Sequence, residues 1–149
     1  MQRRVARVRR KRKTDVSRIA EWAVEQCSDA LSMFSLTLAE SELRDLLSSI
    51  WSSLIEIWDA SAWQIQDENI YEALRVLVSK LAADLVASTR YYEPIEVQEK
   101  RARLIADELY NAVRKYLEFY IKGKFRYPRY ERLVKWIRTY LSIPPDELG

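Results

Sequence analysis

Histidine is absent from this 149-residue chain, which removes the commonest metal ligand and the commonest general base at neutral pH. Glycine occurs only twice and proline four times. A sheet fold needs turn chemistry roughly every ten residues, so punctuation this sparse points to long helices. The single cysteine, Cys27, leaves no internal disulfide and sits on an apolar helical stripe, where a thiol behaves as a small hydrophobe. No apolar run approaches the roughly 20 residues needed to cross a bilayer. The stretch Thr14-Asp15-Val16-Ser17-Arg18 is not the apolar segment of a signal peptide, so a soluble, non-secreted protein is expected. Glycine-rich phosphate loops, nucleophile motifs and ligand clusters are likewise missing. An enzyme is the least favoured class, and no cofactor or metal is implied.

What is present is charge, unevenly placed. The first thirteen residues, MQRRVARVRRKRK, hold Arg3, Arg4, Arg7, Arg9, Arg10, Lys11, Arg12 and Lys13 and no acid. Burying such a run would cost several kcal/mol for each unpaired cation, so it faces water or a polyanion. Without those eight, seventeen cations remain against 22 acids, and the net charge of +3 conceals an acidic body of −5. Residues 14–110 carry a net −10, whereas residues 111–141 carry nine cations and two acids. The order along the chain is a basic arm, an acidic middle and a second basic region.

Apolar periodicity divides the body into helices. Val16, Ile19, Ala23, Cys27, Ala30, Leu31 and Phe34 form a first stripe. Thr37 and Glu40 have the spacing of a capping box, ahead of Leu43, Leu46, Leu47, Ile50, Leu54, Ile57 and Trp58. The pattern breaks from Asp59 to Asp67, then resumes with Tyr71, Leu74, Leu77, Val78, Leu81 and Leu85. Glu93-Pro94 opens a fourth helix, with proline expected at the first helical position. That helix runs through Val97, Leu104, Ile105, Leu109, Val113, Tyr116, Leu117 and Tyr120 towards Gly123, a span of roughly 40 Å. Pro128 is expected to open a short fifth helix with Leu133, Trp136, Ile137, Tyr140 and Leu141, stopped at Ile143-Pro144-Pro145. The fold class is all-α, a four-helix-bundle-like core with a short fifth helix that packs alongside or swings out. The expected organisation is a basic arm (1–13), a helical domain (14–142) and a short tail (143–149).

Two constellations suit a polyanion. The arm can neutralise several phosphates, and Val5 and Val8 are nearly in phase with the first stripe, so a helical arm would line up Arg3, Arg7 and Arg10. Thr14, Asp15 and Ser17 are alternative caps for a helix that starts later. A nuclear import or targeting signal and a passive tail are the competing readings of the arm. The second constellation, KGKFRYPRY, interleaves Lys122, Lys124, Arg126 and Arg129 with Phe125, Tyr127 and Tyr130. Cations there can hold phosphate while rings lie against sugars or bases. Equally, the rings can plug the end of the bundle while the cations sit in water. A recognition helix carrying Arg129, Arg132, Lys135 and Arg138 is less favoured, because the preceding turn is too long for a helix-turn-helix. Trp22, Trp51, Trp58 and Trp63 lie within 42 residues; a subunit interface and burial in the chain's own core are both open for them.

A basic arm free of acids, a helical bundle of this size, and abundant Trp and Tyr together resemble the nucleocapsid proteins of filamentous archaeal viruses. The resemblance is one of architecture and carries no diagnostic motif. It implies a virion subunit that pairs as a homodimer, or as a heterodimer with a related subunit. Such pairs wrap double-stranded DNA into a helical filament, with arm residues Arg3 to Lys13 on the DNA. The contacts of Lys122, Lys124, Arg126, Arg129 and Arg132 are an extension read from this sequence alone. Two alternatives stand beside it: a dimeric transcriptional regulator or chromatin-like protein in the cytoplasm or nucleoid, and an RNA- or ribosome-associated protein.

Overall fold

The computed structural model describes residues 18, 20–27, 39–61, 67–124 and 128–148. These residues are all-helical: α1 (20–27), α2 (Glu40–Ser61), α3 (Asp67–Thr89), α4 (Ile95–Ile121), α5 (Tyr130–Ser142) and a single 3-10 turn at Pro145–Glu147. The all-α, bundle-like expectation with a short additional helix therefore holds. Among the described residues, no helix is long and apolar enough to cross a membrane.

Each expected stripe that falls on described residues supplies the core. Leu43, Leu46, Leu47, Ile50 and Leu54 of α2 are buried, as are Leu74, Leu77, Val78, Leu81 and Leu85 of α3. α3 buries adjacent pairs on successive turns, Ala73/Leu74, Leu77/Val78, Leu81/Ala82 and Leu85/Val86, a stripe wide enough to face more than one neighbour. It packs along α4, which turns Ile105, Leu109, Val113 and Leu117 inward. α1 adds Ala20, Ala23 and Cys27, the last with its Sγ 3.9 Å from the Ser53 hydroxyl of α2.

α5 packs alongside the bundle. Its Leu133, Val134, Ile137 and Leu141 are buried, and it lies against both α2 and α4. Direction follows from paired contacts. The Arg101 guanidinium of α4 reaches the Tyr140 carbonyl, while the Tyr116 hydroxyl, fifteen residues further on, accepts the Arg129 amide, so α4 and α5 are antiparallel. Glu40 lies beside Arg138 and Ser142, and Arg44 pairs with Glu131, so α2 and α5 are antiparallel as well. With Arg75–Asp107 linking α3 to α4, helices α2 to α5 alternate in direction.

Three helix starts differ from expectation. The Ala39 carbonyl accepts the Glu42 and Leu43 amides, so α2 begins with Glu40 in its first turn and not as the third residue after a cap at Thr37; Thr37 itself lies outside the described residues. Pro94 is the N-cap of α4, not its first helical residue, because its carbonyl already accepts the Val97 and Gln98 amides at 3.0 Å. Proline there keeps its extended ψ of 149°. Pro128 precedes α5 by two residues, and Arg129 holds the N-cap position. After α5, residues 143–148 are no loose extension, since Leu148 is buried.

One polar cluster ties the elements together. Arg101 is 2% exposed and grips Glu93 with two bonds, Nε to Oε1 at 2.6 Å and a terminal nitrogen to Oε2 at 2.7 Å. Its remaining nitrogen donates to the Tyr140 carbonyl at 2.9 Å. Arg90 donates to the Leu141 carbonyl at 2.9 Å, and Gln98 to the Glu93 carbonyl at the same distance. Among the described residues every buried side-chain nitrogen and oxygen has a partner. Removing one member of a buried pair strands the other charge, at a cost of about 3–5 kcal/mol. Glu93→Gln and Arg101→Met should each lose that much in equilibrium urea unfolding. The combined Glu93→Gln/Arg101→Met variant should lose clearly less than the sum; strict additivity would contradict the coupling.

Candidate nucleic-acid interface

The second basic region is shaped by how α4 ends. Gly123 has φ +72°, the left-handed conformation that closes a helix at little cost only for glycine. Its amide donates to the Tyr120 carbonyl at 3.0 Å, and the Lys124 amide donates to the Phe119 carbonyl at 2.8 Å, the pair of bonds of a Schellman cap. Nothing lies within 4 Å of where a Cβ would stand, so the demand for glycine is one of backbone conformation and not of space. The cap leaves Lys122 and Lys124 exposed beyond the last turn. Arg129 follows, its amide anchored on the Tyr116 hydroxyl at 3.1 Å, and Arg132 lies exposed in the first turn of α5.

The structure thus brings Lys122, Lys124, Arg129 and Arg132 to one end of the bundle. Arg126 lies outside the described residues, as do Phe125, Tyr127 and the whole arm, Arg3 to Lys13. Lys135 and Arg138 take a different course. They border an open groove of about 550 Å³ beside Glu40, one to two turns further along α5.

Three of the described acids at this end have partners. Glu131 pairs with Arg44 at 3.1 Å and Glu118 with Arg114 at 3.1 Å. Both carboxylate oxygens of Asp59 accept the Tyr120 hydroxyl at 2.9 Å. Among the described residues, Lys115, Lys122, Lys124 and Arg132 have no carboxylate within ion-pair distance. These exposed cations are available to an external anion.

Its aromatic residues divide between two uses. Trp51 of α2 meets Tyr116 and Tyr120 of α4 edge-on, at ring-centre distances of 6.4 and 6.0 Å, the geometry aromatic quadrupoles prefer. Tyr130 packs against the core beside Ser48; burial raises its pKa above the ordinary tyrosine value, against a smaller lowering by the Ser48 hydroxyl. Of the three rings of KGKFRYPRY, only Tyr130 is among the described residues, and it packs against the core. Phe119 differs: it is 45% exposed.

Trp22, Trp51, Trp58 and Trp136 are all partly buried and packed against the chain's own core. The large apolar side chains that face outward are instead Tyr91 (66% exposed), Tyr92 (68%) and Ile95 (61%) at the turn between α3 and α4. Sequence reasoning passed over these three and Phe119. The position of Tyr91 and Tyr92 in a turn, flanked by Glu93-Pro94, was the available signal.

Among the described residues no group of three or more Cys, Asp or Glu side chains could hold a metal ion. Cys27 is fully buried, and desolvation pushes its thiol above the ordinary value despite the opposing Ser53 hydroxyl; this disfavours the reactive thiolate. Comparison with known proteins finds no matching family model, no matching curated protein and no matching solved structure.

The Tyr120–Asp59 contact gives this end a pH signature. The hydrogen bond to Asp59, then desolvation and the nearby negative charge, raise the Tyr120 pKa above its ordinary value. A raised folded pKa means that the contact's stabilisation is complete below the unfolded value, about 10, and disappears as pH climbs through the folded one. The stability difference between wild type and Tyr120→Phe should be constant up to about pH 10 and shrink above it. A difference that stayed flat through the alkaline range would show that the hydroxyl does not bridge α4 to α2.

Proposed function

We propose that this protein is a structural nucleic-acid-packaging subunit that binds double-stranded DNA without reading its sequence, in the manner of the filamentous-virus nucleocapsid proteins it resembles. The observation that carries this reading is the segregation of charge. Eight cations stand in thirteen acid-free residues, and a second cluster sits on the bundle, where Glu131, Glu118 and Asp59 have partners of their own. Phosphate contacts of this kind position a protein on a duplex and carry no base information. The arm residues Arg3 to Lys13 supply the main grip, and Lys122, Lys124, Arg126, Arg129 and Arg132 extend it.

Packaging also requires subunits to associate, as a homodimer or with a related chain. Support comes from the Tyr91, Tyr92 and Ile95 patch, since exposed aromatic residues are enriched where protein surfaces meet. The subunit would then belong to a virion. A discrete regulator would instead show fixed stoichiometry and a preferred site, and an RNA-associated protein would favour single strands.

Full-length protein mixed with long duplex DNA should form regular filaments under negative-stain microscopy, and these should dissolve as salt rises. Each phosphate contact adds about 0.9 to the log–log salt slope. Replacing all eight arm cations by glutamine should therefore flatten the slope by several units and abolish filaments, with helicity intact. Filament formation by the neutralised arm would reject the arm as the grip. Tyr91→Ser combined with Tyr92→Ser should lower the sedimentation coefficient of DNA-free protein if the patch joins subunits; an unchanged value would reject that role.

A further inference from the structure

The exposed ring of Phe119 lies among cations of α4 and its cap. On an ideal helix, residues four before and three after share a face, so Phe119 stands between Lys115 and Lys122, both exposed. The Phe119 carbonyl accepts the Lys124 amide at 2.8 Å, which fixes the cap lysine at the ring's own turn. Arg129 starts the next helix from the Tyr116 hydroxyl, one turn below. The stripe becomes acidic only at Glu108, seven residues before Lys115. Glu118, the adjacent acid, is turned to Arg114.

The Phe119 ring leaves 45% of its surface exposed. Tyr116 and Tyr120, on either side of it in sequence, are drawn into packing by Trp51, so aromatic packing at this end is available and Phe119 does not use it. An apolar ring ringed by unpaired cations matches one ligand chemistry well: a polyanion whose charged phosphates alternate with uncharged sugar and base surfaces. We infer that Lys115, Phe119 and Lys122 form a contact for the DNA backbone, in which the two ammonium groups hold phosphates and the ring packs against the deoxyribose between them. This contact rests on the packaging reading above and adds to it Lys115 and Phe119, together with an uncharged component of binding. The ring accounts for grip that salt does not screen, because covering apolar surface releases no counterions.

The two components separate in one experiment. Binding of full-length protein to a short DNA duplex is measured across a range of salt concentrations for wild type, Phe119→Ala, Phe119→Tyr, Lys115→Gln and Lys122→Gln. Phe119→Ala should weaken binding about threefold to tenfold at every salt concentration, the order expected for uncovering part of one apolar ring, and leave the slope unchanged. Phe119→Tyr, which keeps the ring, should restore it. Each lysine variant should instead flatten the slope by about 0.9. If Phe119→Ala coincides with wild type while the lysine slopes change, the ring contact is overturned and the charge reading survives. A loss seen only with single-stranded DNA would overturn the duplex assignment. Failure of wild type to bind duplex at all would overturn both this contact and the packaging reading.

Discussion

The buried Glu93–Arg101 pair joins the turn between α3 and α4 to the end of α5. Such pairs contribute little net stability, because desolvation offsets most of the attraction. Their effect is on geometry, since a buried guanidinium must find acceptors in fixed directions. Here it finds two on Glu93, in the turn that joins the longest helices, and one on the Tyr140 carbonyl in the last turn of α5. Arg90 satisfies the next carbonyl, Leu141. α5 has no basic residue in its own last turn, so the cations that complement its negative end come from α4 and from the end of α3.

Anchoring α5 at its C-terminus against the start of α4 places its N-terminus beside the end of α4. That is how the cap lysines of one helix and the first arginines of the next come to share an end. Chain continuity would keep them near one another in any case. Tertiary structure adds the pairing of the nearby acids with side chains from elsewhere: Glu131 with Arg44, and Asp59 with Tyr120. The region that is basic in the sequence keeps its cations on the surface of the fold.

The aromatic residues show the limit of reading by composition. Five tryptophans invite an interface, yet the four that are described pack on the chain's own core. Tyr116 and Phe119 both lie in α4 and both can reach the basic end, but only one of them meets Trp51. Which aromatic faces water depends on the rotation of α4 about its axis. That rotation follows from burying Arg101, Ile105, Leu109, Val113 and Leu117 together.

The helical class, the buried stripes and the end of α4 are legible residue by residue, because helical periodicity and a left-handed glycine are local properties of the chain. The acid-free arm and the acidic middle were equally plain, being matters of composition. That Arg101 is a buried anchor and not one more surface cation emerges from packing alone, since its partners are eight and 39 residues away. Packing also decided where α2, α4 and α5 begin, because caps depend on which carbonyl first finds a donor. The exposure of Phe119, Tyr91 and Tyr92 belongs to the same category: burial is a competition among apolar side chains for one core, and its outcome is settled only when all the helices have packed.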